Sequence, residues 1–241
     1  MEKVKLPKAT VENLRVYNEM QKLAFDEEAN SIRQVNLLNK ATEYADQFNW
    51  FDEVFEENGK KGIKDFTGKV LVPAMYDDIP ETYTALRQEE EKYAYPAIMN
   101  GKYGLVKADG SGEPLCDFCY DCIKVDFPAF NFFFVFKDGK KGYMDRYGKL
   151  IIPCEMDVIY AWSNAICSFT RDGKHGILTN YWLYIEPQFD ETAEDDEEKL
   201  KVRKGDTWGY VDANDGHFIP ENEYDEENDY VLSYSIDFVD F

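Results

Sequence analysis

The sequence predicts a mainly β fold with an α-helical N-terminus, an array of five short antiparallel β-repeats of hairpin or three-strand form. Three observations predict it. One segment returns five times along the chain, Asn-Gly and Asp-Gly pairs recur at near-regular intervals, and residues 9–57 contain no Gly or Pro while their apolar residues fall at helical spacing.

The helical stretch comes first. Val11, Leu14 and Tyr17, then Ile32, Val35, Leu38, Ala41, Ala45 and Phe48, recur at the three-to-four residue period of an amphipathic helix. Asn30 and Ser31 are side chains that cap a second helix. The spacing predicts helices over 10–28 and 31–47 within an N-terminal segment 1–57, whose apolar stripes need a partner surface. The first repeat is the nearest one.

After Asn58 the text changes character. NGKKGIKDFTGKVLVPAMYD (58–77) returns as NGKYGLVKADGSGEPLCDFCYD (100–121), DGKKGYMDRYGKLIIPCEMD (138–157), DGKHGILTNYWLYIEPQFD (172–190) and KGDTWGYVDANDGHFIPENEYD (204–225). The second glycine falls at Gly62, Gly104, Gly142, Gly176 and Gly209, at intervals of 42, 38, 34 and 33 residues. Pro73, Pro153, Pro187 and Pro220 each follow their glycine by 11 residues, and Pro114 follows by 10. Each copy closes on an apolar-Asp pair: Tyr76-Asp77, Tyr120-Asp121, Met156-Asp157, Phe189-Asp190 and Tyr224-Asp225. The repeats are taken as 58–99, 100–137, 138–171, 172–203 and 204–229.

Each copy has the same physical content. Asn58-Gly59, Asn100-Gly101, Asp138-Gly139 and Asp172-Gly173 are two-residue hairpin signals, because these residue types accept positive φ at both turn positions. Lys204-Gly205 is a weaker version. A second turn is expected near Gly68, Gly110, Gly148 and Gly216, followed by an apolar strand that proline stops or marks as an edge. Three short strands cannot bury an apolar face alone, so neighbouring copies must stack.

With these residues in view, the sequence resembles the WG-repeat proteins, bacterial arrays whose units read roughly Lys-Trp-Gly, two apolar residues, Asp, a turn, Gly-Lys, an apolar run, Pro, then Tyr-Asp. The resemblance covers about residues 58–228. The namesake Trp survives only as Trp208; Lys61, Tyr103, Lys141 and His175 stand in its place elsewhere, so this is a divergent member. The resemblance implies a β-repeat array with an interaction role and no catalytic residues. An open superhelix or meander and a five-bladed propeller-like ring both fit the repeat lengths. The tail, 230–241, alternates Tyr230, Leu232, Tyr234, Ile236 and Phe238 with mostly polar neighbours and is expected to be a capping strand.

Composition bounds the function. The 241 residues hold 48 Asp and Glu against 27 Lys and Arg, a formal net charge of −21. Such a surface repels bare nucleic acid and anionic membranes and attracts a basic protein. Aromatic residues make up 16% of the chain, which argues for a folded core rather than an acidic disordered tail. No apolar run reaches the roughly 20 residues of a membrane span. Five cysteines form no evident disulfide framework, which points to a reducing, cytoplasmic location. No cofactor is expected.

Few residues carry chemistry. Cys116, Cys119 and Cys122 form Cys-x-x-Cys-x-x-Cys, a spacing used for zinc or iron–sulfur ligation with Cys154 or Cys167 as a fourth ligand. Against this, Cys116 aligns with the core positions Val72 and Ile152, and buried strand thiols are the commoner case. His175 and His217 have no nucleophile placed by motif. Asp212, Asn214 and Asp215 lack the ligand spacing of a calcium loop. The phenylalanines at 127, 130, 132, 133, 134 and 136 read as strand core rather than as a binding surface. Acidic blocks follow the ends of repeats: Glu89 to Glu91; Glu191, Glu194, Asp195, Asp196, Glu197 and Glu198; and Asp225, Glu226, Glu227 and Asp229. Gathered on one face, they would form a stripe for basic partners. The leading expectation is therefore a non-enzymatic, macromolecule-binding scaffold with a protein partner. An acidic inhibitor or immunity-type protein that neutralises a basic toxin or nuclease is the alternative, and a metal-binding or enzymatic domain comes third.

Overall fold

The structure is a computed structural model, and it describes residues 6–80, 94–125, 132–161, 167–179, 182–194, 199–225 and 231–232. It is mainly β with two N-terminal helices, and none of its five antiparallel sheets closes into a barrel. By its contacts the chain divides into two compact units, residues 1–118 and 119–241.

In the first unit, α1 (Val11–Phe25) and α2 (Ile32–Ala45) begin one residue later than the spacing predicts and end two or three residues earlier. Thr10 caps α1 by accepting from the Asn13 amide at 3.2 Å, and the Asn13 side chain accepts from the Thr10 amide in return. Ser31 caps α2 by accepting from the Gln34 amide, while the Gln34 side chain accepts from the Asn30 amide. This reciprocal bonding satisfies amides that a helix start leaves unpaired. The helical segment leads into Trp50, whose indole donates to the Ala45 carbonyl at 2.8 Å. Trp50 forms a small core with Ala9, Leu14, Phe48 and Phe66, the last of these from a turn of the first repeat.

The first sheet contains β1 (Glu53–Glu57), just ahead of the repeat start at residue 58, with β2 (Lys60–Lys64) and β3 (Val70–Tyr76), paired in that order. The next sheet contains β4 (Ala94–Met99) and β5 (Lys102–Lys107), flanked by single bridges from Asp78 to Ile98 and from Val106 to Pro114. Its outer strand is cut to one bridge where Ser111 and Gly112 lengthen the turn.

The second unit holds three sheets of four strands. These are β6 (Cys122–Val125), β7 (Phe132–Lys137), β8 (Lys140–Asp145) and β9 (Leu150–Met156); β10 (Val158–Ala161), β11 (Cys167–Arg171), β12 (Lys174–Leu178) and β13 (Tyr184–Phe189); and β14 (Glu191–Glu194), β15 (Leu200–Lys204), β16 (Thr207–Val211) and β17 (Phe218–Pro220). The strand added to the expected three lies just after the apolar-Asp pair. Only Asp157 separates β9 from β10, and only Asp190 separates β13 from β14. The chain leaves one sheet and enters the next at that aspartate.

The turns follow their residue types. Asn58, Asn100, Asp138 and Asp172 have φ between 51° and 53°, each followed by glycine near 75°. The last hairpin differs from expectation. Lys204 pairs with Thr207, so its loop is Gly205-Asp206 rather than Lys204-Gly205. Gly205 alone has positive φ there, at 63°, which places glycine first as a type II′ turn requires.

Of the two roles expected of proline, ending the strand or marking an edge, the second holds for β3, β9, β13 and β17. β3, β9 and β13 run through Pro73, Pro153 and Pro187, and only β17 ends at its proline. Each of these strands lies at the edge of its sheet, where a missing N–H costs no ladder bond. Cores are shared between neighbouring sheets of the second unit. Tyr143, Ile152 and Met156 from one sheet pack with Phe169 and Leu178 of the next. Ile177, Ile185 and Phe189 pack with Leu200, Val202 and Val211. No described helix is long and apolar enough to cross a membrane.

Candidate functional site

The recurring residues are occupied in building the unit. Gly62 lies beneath the proline of the adjacent strand, and a Cβ there would stand 2.5 Å from the Val72 carbonyl oxygen and 2.7 Å from the Ala74 amide. Gly142 would meet the Cys154 backbone at 2.9 Å, Gly104 the Phe118 ring at 2.9 Å and Gly176 the Ile185 carbonyl at 2.7 Å. Gly209 pairs directly with Pro220. The 11-residue spacing therefore sets glycine against the proline strand, which passes too close for a side chain. The register shifts beside Gly62, Gly142 and Gly176 mark the same crowding.

The closing aromatic residue is equally structural. Tyr76 is fully buried, donates to the Gly112 carbonyl and stacks on Phe118 at 5.5 Å. Tyr120 is buried, and Tyr224 lies 4.5 Å from the Tyr210 ring.

The aspartate after it joins two hairpins. Asp157 accepts from the Lys140 ammonium at 2.5 Å and from the Asp172 amide in the following turn at 3.1 Å. Asp77 repeats this with Lys60 and Asn100, and Asp190 with Lys174 and Gly205. Asp121 accepts from the Asp138 amide at 2.8 Å. The lysine hydrogen bond, followed by the turn amide, holds the carboxyls of Asp77, Asp157 and Asp190 below their ordinary value of 3.8. The sequence shows the lysine 17 residues before Asp77 and Asp157, but only the fold shows that one carboxylate serves two turns.

The chemistry-bearing candidates fall out as follows. Cys116 accepts from the Leu105 amide at 3.3 Å, and Cys122 opens β6. The Cys154 thiol donates toward the carbonyls of Lys140 and Val135, and burial pushes its pKa above the ordinary value. That favours a protonated thiol over a metal-binding thiolate. Among the described residues, one group of three ligand-type side chains brings its donor atoms within 4.8 Å of one another: Asp212, Asp215 and His217. One oxygen of each carboxylate is engaged in the turn, since Asp212 accepts the Asn214 amide at 2.7 Å and Asp215 accepts the His217 amide at 3.0 Å. His175 faces Thr192 at 3.2 Å, and burial lowers its pKa. The acidic residues Asp195 to Glu198, Glu89 to Glu91, Glu226, Glu227 and Asp229 lie outside the described residues, as do the Glu194 side chain, Phe127 and Phe130.

One feature escapes the turn chemistry read from the sequence. A pocket of about 460 Å³ opens in the second unit, with Phe132, Ile151 and Trp182 as apolar walls. Asp145, Arg146, Tyr147 and Lys149 complete it. Trp182 has φ of 64° and stacks on Phe132 at 4.7 Å, which stacks in turn on Tyr143 at 5.3 Å. The signal was present in the repeat alignment. The fourth copy has no glycine at its second turn, and Trp182 stands where Gly68 and Gly148 stand in the first and third.

Short meander sheets linked through a shared aspartate, with cores completed by their neighbours, define a β-repeat protein. The family model of the WG containing repeat matches residues 142–174, one unit of the array, and supports placing the chain in that family. No curated protein matches the sequence.

Proposed function

We propose that this chain is a non-enzymatic repeat scaffold that binds a protein partner. The observation that carries the reading is the employment of the repeated residues. Glycine, proline, tyrosine and aspartate all serve packing, turns or the junction between sheets. What the array recognises is therefore left to side chains that differ between units, as in other repeat proteins whose units share a framework and vary on the surface.

The net charge of −21 favours a basic partner, steered over long range and suppressed by salt. The same charge supports the narrower reading of an inhibitor that neutralises a basic toxin or nuclease. A cytoplasmic location belongs to the same reading and rests on the odd cysteine count.

The test is affinity capture from lysate of the source organism at low and high salt. The wild-type chain is compared with one in which Glu194, Asp195, Asp196, Glu197 and Glu198 are all lysine. The expected result is a specific protein captured at low salt, reduced at least tenfold at high salt and in the charge-reversed chain, with the cooperative thermal unfolding transition retained. Capture of nothing by the wild type would overturn the scaffold reading. Unchanged capture by the reversed chain would reduce the acidic block to a solubility device.

A further inference from the structure

We propose that the pocket walled by Trp182 is a docking point for a partner protein's aromatic side chain flanked by carboxylates. The proposal deepens the scaffold reading and rests on it.

Trp182 carries the argument. In the third copy the turn is closed by bonds from the Asp145 amide to the Lys149 carbonyl and from the Gly148 amide to the Asp145 carbonyl. The fourth copy makes the same bonds from Thr179 to Leu183 and from Trp182 to Thr179. Gly68 and Gly148 take φ of 93° and 85° at this position, and Trp182 is held at 64°. A bulky side chain in the left-handed region is an outlier. Such residues persist where their surroundings fix them, and they gather at ligand-binding and switch sites.

The ring is fixed from below. The stack from Tyr143 through Phe132 to Trp182 roots it in the core, with interplanar angles of 13° and 27°. It remains 44% exposed, and Tyr147, which also lines the pocket, is 55% exposed. The Arg146 guanidinium lies 5.1 Å from the Tyr147 ring. Trp, Tyr and Arg are the residues that dominate protein–protein binding energy. Sites for small molecules enclose most of their ligand. A pocket with both rings this exposed suits a side chain delivered from a second surface.

Charge selects the flanking groups. Among the described residues the pocket sets two cations, Arg146 and Lys149, against one anion, Asp145, within a chain that carries −21. One oxygen of Asp145 is committed to the amides of Tyr147 and Lys149, both at 2.9 Å. Carboxylates on the incoming segment complement the two cations. A partner that is basic elsewhere would meet this cationic spot with an acidic-aromatic segment.

The test follows the indole N–H signals of the four tryptophans in the full-length, 15N-labelled chain. The Trp182 signal is assigned by its loss in Trp182→Gly, which restores the residue used by the first and third copies. The probe is a capped pentapeptide, glycine-aspartate-phenylalanine-aspartate-glycine. A saturable shift of the Trp182 signal is expected. Binding should be at least tenfold weaker for the lysine-flanked and alanine-centred peptides, and for the chain carrying Arg146→Glu and Lys149→Glu. Equal response to all three peptides, or none to any, overturns the proposal. Sodium phenylacetate saturating the signal as tightly as the pentapeptide would make this a site for free aromatic acids and overturn the protein assignment. The captured partner supplies the separate check. If it binds Trp182→Gly undiminished, the pocket assignment falls while the scaffold reading stands.

Discussion

Gly142 and Gly139 lie three residues apart and are required for different reasons. At Gly142 an added Cβ would press into the Cys154 backbone at 2.9 Å, and backbone held by strand pairing cannot yield. At Gly139 a Cβ would meet nothing within 4 Å, but φ is 76°. Gly139→Ala is therefore expected to cost about 1–2 kcal/mol of left-handed strain and keep a cooperative thermal transition. Gly142→Val is expected to abolish that transition, as followed by circular dichroism. Tyr76→Ala leaves a cavity at a fully buried ring and removes the donor to the Gly112 carbonyl. Its cost is expected to reach about 3–5 kcal/mol in denaturant titration. The glycine positions were legible because an unvarying residue repeats at near-constant spacing. Trp182 was not, because a period shows where glycine is missing but not that its replacement keeps the glycine conformation.

The element that makes an array from these sheets is the junction at the aspartate. Asp157 accepts from Lys140 of one hairpin and from the turn of the next, so its carboxylate ties β8 to the turn after β11. Its folded pKa lies below the ordinary 3.8. A depressed carboxyl contributes stability that is fully present above the unfolded value and lost as pH falls through the folded one. Asp157→Asn keeps an acceptor for the Asp172 amide but loses the charge. Its midpoint in thermal unfolding should fall below wild type at pH 7, and the gap should close below pH 3.8. A gap that persisted at lower pH would show that packing, not charge, is what the substitution damages. The hairpins were legible from their turn pairs, and the edge position of the proline strands from the missing N–H. The fourth strand was not. Val158–Ala161 and Glu191–Glu194 follow their aspartates with no Gly or Pro to mark a new element. The passage of β3, β9 and β13 through their prolines fits the edge reading, because an edge tolerates what an interior strand does not. Of the candidate binding residues, the acidic blocks were visible as composition, whereas the pocket assembles side chains from two neighbouring sheets that no local pattern links.

Across the whole molecule the balance of charge sets the response to salt. Described ion pairs such as Lys140–Asp157 and Lys60–Asp77 are exposed, and pairs of that kind contribute little to stability and are screened by salt. Repulsion among the acids is screened by the same ions. The count decides which change is larger. With 48 acids and 27 bases, pairing every base would still leave 21 acids without one. Excess like charge opposes the compact state. Raising ionic strength shortens the screening length from about 30 Å at 0.01 M to about 10 Å at 0.1 M, which removes long-range repulsion before it affects contacts near 3 Å. The thermal midpoint is therefore expected to rise by several degrees between 10 mM and 0.5 M sodium chloride, measured by circular dichroism at pH 7. A rise of that size corresponds to about 1–2 kcal/mol for a chain of this length. A falling midpoint would mean that the junction ion pairs outweigh the excess acid. Capture of a basic partner must weaken over the same salt range, so folding and recognition are expected to respond to salt with opposite signs. Stability alone would not produce that divergence, because a better-folded scaffold would otherwise bind at least as well.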